Sequence, residues 1–390
     1  MIAIGIDIGK FKHCAAVYES SSSSVLVKPF FFDNNRSGFL SLLETVRPFS
    51  ESAVFAMEDT GHYSQNLIAF LVEKDFHTVL INPVTTDSFR KSKLKSTKTD
   101  RTDAVLIAQV YAAGLPSRTI TKKDLLLKDS KQYARMHHDV KEEENRLKNQ
   151  LQKELDIVFP EYNSLFKTKY SRPYMDILKE FPSARSLAGT DIRNIRKVVN
   201  APHKGRKVSL SAEDLKNLAK KSIGLDSPSA ELNIRFLIQK IEMLQEQLAE
   251  IDKKIEELST ELNSPIFSIP GIGAITGVTL LGECQDISKF SNAAKLISYF
   301  GMDPYQYQSG IYQSAHGRLS KHGSKYARKS LYQAIMPVIR FEPAFHAYYT
   351  KKREEGKSHR CAQGHAVRKL LRVIYHLCTQ DIPYQASSLL

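Results

Sequence analysis

Residues 2–19 read IAIGIDIGKFKHCAAVYE, and this stretch decides the fold of the first part of the chain. IAIGIDIG and HCAAVYES, with VLVKPFFF after them, predict a three-strand antiparallel meander. Asp7 interrupts the first strand. An acid within an apolar strand is costly if buried without a partner, so its presence asks for a chemical reason.

Outward from the meander, SGFLSLLETV predicts a helix, AVFAMED a strand, SQNLIAFLVEKD a helix and HTVLINP a strand. TDAVLIAQVYAAG then predicts a helix ending at Gly114. Three antiparallel strands followed by alternating helices and strands is the order of an RNase H-like sheet.

Four acids fall at the ends of these runs: Asp7 in GIDIG, Glu58 in AVFAMEDTG, and Asp100 and Asp103 in KTDRTDAVLIAQVYAAG. An α/β sheet presents such positions to a shared crevice. Asp100 and Asp103, three residues apart, share one face if both lie in the first helical turn. Acids there also cap helix amides and suit the macrodipole, and Glu58-Asp59-Thr60 also fits an ordinary strand-end turn. Taken together, the four suit Mg²⁺ (or Mn²⁺), which prefers oxygen ligands. Two such ions about 4 Å apart support phosphoryl transfer. Arg90, Lys91, Lys93, Lys95, Lys98 and Arg101 lie beside these acids, where they can hold a phosphate backbone; a solvated basic loop is the bland alternative.

The net charge of +14 over 390 residues points to a polyanionic partner. No apolar run is long enough to span a membrane, and Asp7 and Lys10 break the pattern of a signal peptide. Cys14, Cys284, Cys361 and Cys378 lack paired spacing and read as free thiols of a reducing cytoplasm.

Five regions follow: the α/β domain at 1–115, a long polar helix at 125–160, a basic, helical insertion at 161–226, a heptad segment at 227–263, and a mostly helical domain at 264–380. In the heptad segment Ile234, Leu237, Ile241, Leu244, Leu248, Ile251, Ile255, Leu258 and Leu262 alternate spacings of three and four. That seam predicts a coiled coil joining protomers; the alternative is a helix packed back on 125–158. SIPGIGAITGVTLLGE, residues 268–283, has the pattern of a helix-hairpin-helix element in which Gly271 and Gly273 let backbone amides approach a phosphate. In YFGMDPYQYQSGIYQSAHGRLSKHGSKYARKSL, tyrosines 305, 307 and 312 suit base stacking. Arg318, Lys321, Lys325 and Arg328 suit phosphate contacts. Ser309, before Gly310, is a candidate nucleophile among cations; Ser314, Ser320 and Ser324 stay open as alternatives.

GIDIGK, MEDTGHY, INP, KTDRTDA, IPGIG, YQSG and LSKHGSKYARKSL, in this order, resemble the DEDD-type insertion-sequence transposases. These are bridge-RNA-guided serine recombinases whose relatives include pilin-gene invertases. The resemblance covers residues 1–160 and 230–380. It implies a RuvC-like metal site at Asp7, Glu58, Asp100 and Asp103, with Ser309 as nucleophile forming a phosphoserine link to DNA. It further implies a composite site shared between protomers of a dimer or tetramer, element-end and target duplex DNA as substrates, a structured noncoding RNA as guide, and a nucleoid-associated cytoplasmic setting in a bacterium or archaeon. Competing readings are a RuvC-like nuclease using water, an actin-like ATPase suggested by IGIDIG but lacking its later phosphate loops, and a non-enzymatic assembly protein.

Overall fold

The computed structural model describes all residues except 50–51, 60, 94–98, 202–210, 306–307, 310–311, 314–317 and 387–390, and gives the backbone alone at 305, 308–309, 312–313 and 318. The chain forms two compact units, Met1–Asp129 and Ser130–Leu390.

In the first unit, β1 (Ile2–Asp7), β2 (Lys12–Glu19) and β3 (Ser24–Asp33) form the expected meander. Then come α1 (Arg36–Val46), β4 (Ala53–Glu58), α2 (Gln65–Glu73) and β5 (Thr78–Ile81). The helix expected to carry Asp100 and Asp103 in its first turn follows as α4 (Asp100–Ala112), with Thr99 as its N-cap. Two elements had no apolar signature strong enough to be read: α3 (Pro83–Ser92), which is largely polar, and β6 (Ser117–Ile120), a short edge strand. The sheet order is β3-β2-β1-β4-β5-β6. β1, β4 and β5 run parallel, while β2, β3 and β6 are antiparallel to their neighbours.

The two-residue period of a strand sorts its side chains between faces. Ile4, Ile6, Ala15, Val17, Phe55 and Met57 pack against α1 and α2 through Phe39, Leu42, Leu67 and Leu71. On the opposite face Val54, Ala56, Val79 and Ile81 meet Leu106, Ile107 and Val110 of α4, and Cys14 and Ala16 meet Ala104. By parity Asp7 and Glu58 project from this second face. Gly5 makes the close fit possible: a Cβ there would stand 2.1 Å from the Ala104 carbonyl oxygen and 2.5 Å from the Ala108 nitrogen.

The helix α5 (Lys122–Val158) runs into the second unit. There α6 (Arg172–Glu180), α7 (Ala184–Gly189), α8 (Ile192–Val199) and α9 (Ala212–Lys220) fill the segment between it and α10 (Pro228–Leu262). The heptad seam lies inside the chain, which corrects the expectation of an intermolecular coiled coil. Ile234, Leu237, Ile238, Ile241 and Leu244 share one core with Leu147, Leu151, Leu155 and Val158 of α5 and with Tyr162 and Tyr174. Leu248, Ile251, Ile255 and Leu258 are buried too. Polar contacts show that α5 and α10 run antiparallel: His137 to Asp252 at 3.3 Å, Gln245 to Glu144 at 3.0 Å, and Asn233 to Glu154 at 2.9 Å. The physical reason is that α5 carries a matching stripe at i, i+4, i+8, so the narrow seam finds its partner nearby in sequence.

After α10 come α11 (Ala274–Cys284), α12 (Ala293–Tyr299), two pairs of two-residue strands, α13 (Lys325–Phe341), α14 (Pro343–Glu354) and α15 (His359–Gln380). Among the described residues no helix is long and apolar enough to cross a membrane.

Candidate active site

Asp7 closes β1 and Glu58 closes β4. The strands are parallel, with Ile6 beside Met57, so the two carboxylates leave neighbouring strands at one edge. α4 begins over that edge, bringing Asp100 and Asp103. Capping does not account for these two acids. Thr99 Oγ1 accepts from the Thr102 amide at 3.2 Å, and the Thr99 amide donates to Thr102 Oγ1 at 3.0 Å. The capping box is built from threonines, which leaves the carboxylates for other work.

The acids lie near enough to act on one another's charge. Asp7 is pushed up from 3.8 to about 6, first by burial and then by the charges of Asp103, Asp100 and Glu58. Cys14, opposite Asp7 in the strand register, is pushed up to about 11 by burial and by Asp7 and Asp100. The turn after Asp7 is tied by the Gly9 amide donating to His13 Nδ1 at 3.2 Å. Asp103 has a partner: Arg90 Nη2, from α3, donates to its Oδ1 at 2.9 Å, with the side chains 15% and 12% exposed. Arg90, one of the cations that the sequence offers to a phosphate backbone, is thus engaged within the fold.

An all-oxygen, mutually repelling donor set fits a hard divalent cation. Among the described residues, however, no three His, Cys, Asp or Glu side chains stand together at metal-holding positions. The acids are close enough to share a field but do not form a closed ligand shell.

Of the neighbouring cations, Lys93 Nζ donates to Gln109 Oε1 at 2.6 Å and lies over the Phe89 ring, while Arg101 lies over Phe31, its guanidinium carbon 5.4 Å from the ring centroid. Lys95 and Lys98 lie outside the described residues, as do Tyr307, Gly310 and Ser314.

In the second unit, Gly271 has a packing reason. Its φ is +93°, and a Cβ there would meet the Val338 nitrogen of α13 at 2.6 Å. Gly273, the residue before α11, is open instead, with nothing within 4 Å of a built Cβ. Ser309 pairs with Tyr312 in one of the short strand pairs, and Arg318 with Tyr305 in the other. Two of the alternative serines have structural work: Ser320 Oγ bonds Asp303, and Ser324 caps α13 by accepting from the Ala327 amide at 3.2 Å. Arg328 donates to the carbonyls of His322 at 2.8 Å and Gly323 at 3.1 Å, so its guanidinium holds the preceding loop. Lys321 and Lys325 are exposed.

Comparison with known proteins gives matches in both units. Residues 4–160 match the DEDD-type transposase family of IS110, and residues 263–350 match the family described as transposase IS116/IS110/IS902. Over 387 residues the chain is 25% identical to a pilin gene-inverting protein of Moraxella bovis, covering 98% of this chain and 97% of the relative. A 44.8 kDa protein of insertion element IS116 from Streptomyces clavuligerus is 23% identical over 383 residues, covering 96% and 94%. A 42 kDa protein of insertion element IS900 from Mycobacterium paratuberculosis is 24% identical over 398 residues, covering 98% and 97%.

Proposed function

We propose that this member of the IS110/IS116 transposase family is a DNA transposase or recombinase, and that its sheet-edge acids form a RuvC-like metal site. The family matches support an enzyme acting on DNA in transposition or inversion. The observation that carries the metal site is Asp7, held at about 6 by burial and by three neighbouring acids. Beyond the effect of burial, the repulsion from these acids is what carboxylates gathered to hold a cation would show. The order β3-β2-β1-β4-β5 supports the RuvC-like reading.

Asp7, Glu58, Asp100 and Asp103 would hold the ion. Mg²⁺ or Mn²⁺ bound there would neutralise charge on the scissile phosphate and lower the proton affinity of the attacking group. The chain's own contribution is positioning: Asp7 and Glu58 sit on rigid strands, and Arg90 fixes the rotamer of Asp103. Ser309 is the proposed nucleophile. Its Oγ bonds to phosphorus as a bridging P–O bond breaks. The serine proton passes to the departing strand oxygen, and a phosphoserine link remains. Attack by the hydroxyl of a second strand would reverse this and release the serine. Family resemblance and the local sequence support this role, and the structural work of Ser320 and Ser324 narrows the field. A structured noncoding RNA pairing with both DNA partners belongs to the same proposal, leaving the protein to read backbone and shape. So does a homo-oligomer, though not one built on the α10 seam.

The test is incubation with element-end DNA, the flanking RNA and Mg²⁺, followed by denaturing electrophoresis. The expected result is a covalent protein–DNA adduct that is absent in Ser309→Ala and in Asp7→Asn. Cleavage that continues in Ser309→Ala without any adduct would replace the serine with water and make the protein a nuclease.

A further inference from the structure

The second unit contains a cavity of about 750 Å³ that the catalytic reading does not use. Lys131 and Arg135 of α5 line one side, Lys295 and Tyr299 of α12 another, and Lys325 and Tyr326 the start of α13. Four cations face it against one carboxylate, Glu283. Glu283 is only 3% exposed and is held by Arg135 through Nε at 2.6 Å and Nη2 at 3.0 Å. That pair fixes the guanidinium as part of the wall. Among the described residues neither Lys295 nor Lys325 has an ion-pair partner, and both are exposed. Among the described lining residues the cations therefore outnumber the carboxylates four to one.

Its aromatic wall is built as rigidly as its charge. The Tyr299 hydroxyl donates to the Glu283 carbonyl at 3.0 Å, and its ring packs edge-on against Phe290 with centroids 5.1 Å apart. Phe290 is held in turn by the Tyr375 hydroxyl donating to its carbonyl at 2.8 Å. Yet Tyr299 remains 40% exposed. On the far side Tyr326 is fixed by its hydroxyl on Asp139 at 2.9 Å, with the Arg135 guanidinium 5.1 Å from its ring centroid. Lys289 Nζ lies 5.1 Å from the Tyr299 ring centroid, and a partly exposed tyrosine tied by its hydroxyl and bordered by lysines suits a flat, anionic ligand. Bases stack on such faces without regard to sequence, while lysines take the phosphate.

We propose that this cavity holds one unstacked nucleotide of a nucleic-acid strand, with its base against Tyr299 and its phosphate between Lys295 and Lys325. The proposal rests on the reading above only for the class of ligand. It needs neither strand cleavage nor the metal site, so the two can fail separately.

The test measures binding of fluorescein-labelled single strands of about ten nucleotides, one DNA and one RNA of the same sequence, by anisotropy in EDTA. Tyr299→Leu is expected to weaken binding by about 5- to 100-fold, and Tyr299→Phe, which keeps the ring, to restore most of it. Lys295→Ala is expected to lower the slope of log K against log salt by about one. The arm showing the larger Tyr299→Leu loss identifies the occupant as DNA or RNA. Wild-type affinity of Tyr299→Leu for both strands would overturn the proposal, and so would equal losses in Tyr299→Leu and Tyr299→Phe, because the hydroxyl's structural bond would then be the cause.

Discussion

Replacing Asp7 with asparagine should make the metal-free protein more stable while removing its activity. In the folded chain this carboxyl stands at about 6 against an ordinary 3.8, through burial first and then Asp103, Asp100 and Glu58. Below pH 3.8 both folded and unfolded chains are protonated at this group, and it costs nothing. Between about 3.8 and 6 the unfolded chain has released the proton and the folded one retains it, so stability falls as pH rises. Above 6 the cost levels off. The full shift corresponds to about 3 kcal/mol; Asp7 is only partly buried, and solvent screening reduces this to about 1–2 kcal/mol. For a domain of this size that is a rise in Tm of about 3–8 °C. The assay is calorimetry in EDTA at pH 7.5 and pH 3.5. Asp7→Asn should melt higher than wild type at pH 7.5, and the gap should close at pH 3.5. If the variant melts lower at pH 7.5, the acids do not repel one another and the case for an assembled cation site fails.

Other outcomes follow from the same geometry. Gly5→Val should push α4 off the sheet, since its Cβ would stand 2.1 Å from the Ala104 oxygen. The expected loss is about 1–3 kcal/mol in urea denaturation, together with loss of strand cleavage. Arg90→Met should leave Asp103 buried without its partner and cost about 3 kcal/mol. Mg²⁺ should restore part of that stability, whereas an unchanged melting curve would mean the ion pair is solvent-screened. Ile241→Ala should cost about 2–5 kcal/mol with a midpoint independent of protein concentration. A midpoint that rises with concentration would return the seam to an interface between protomers.

The sheet was legible because the first strand runs are short and continuously apolar, buried on both faces, and because Asp7 and Glu58 break apolar strands at their ends. α3 was not, because PVTTDSFRKS buries only Thr86 and leaves no apolar period to detect. The role of Arg90 was hidden for the same reason: among six nearby cations nothing in the sequence marks the one that folds back on Asp103. The seam of α10 was read correctly as a seam and given the wrong partner, since a heptad pattern specifies that a stripe must be covered but not by which chain. The stripe of α5 was the missing signal, with Leu147, Leu151 and Leu155 spaced by four. Of the cavity at Tyr299 the sequence marked only the stretch around Lys325, because its lining comes from four helices and intervening loops far apart in the chain.

On the proposed metal site, a bound cation would link the acid site to the stability of its domain. If the charge on Asp7 costs the folded chain about 1–2 kcal/mol at neutral pH, an ion bound by the acids offsets that cost and adds its own linkage. A tenfold excess over its dissociation constant contributes about 1.4 kcal/mol. Wild type with Mg²⁺ should therefore approach the melting temperature of Asp7→Asn without it, while Mg²⁺ should move the variant much less. Arg90 limits the effect from the other side: by holding Asp103 it already neutralises one of four charges, so a single ion needs to balance only the remaining three. Removing both, in Arg90→Met with Asp103→Leu, should cost less than Arg90→Met alone, because the uncompensated buried charge is gone. A double variant that falls as far as the sum of the two single ones would show that Arg90 and Asp103 act independently, and that the acids are not held as one electrostatic unit.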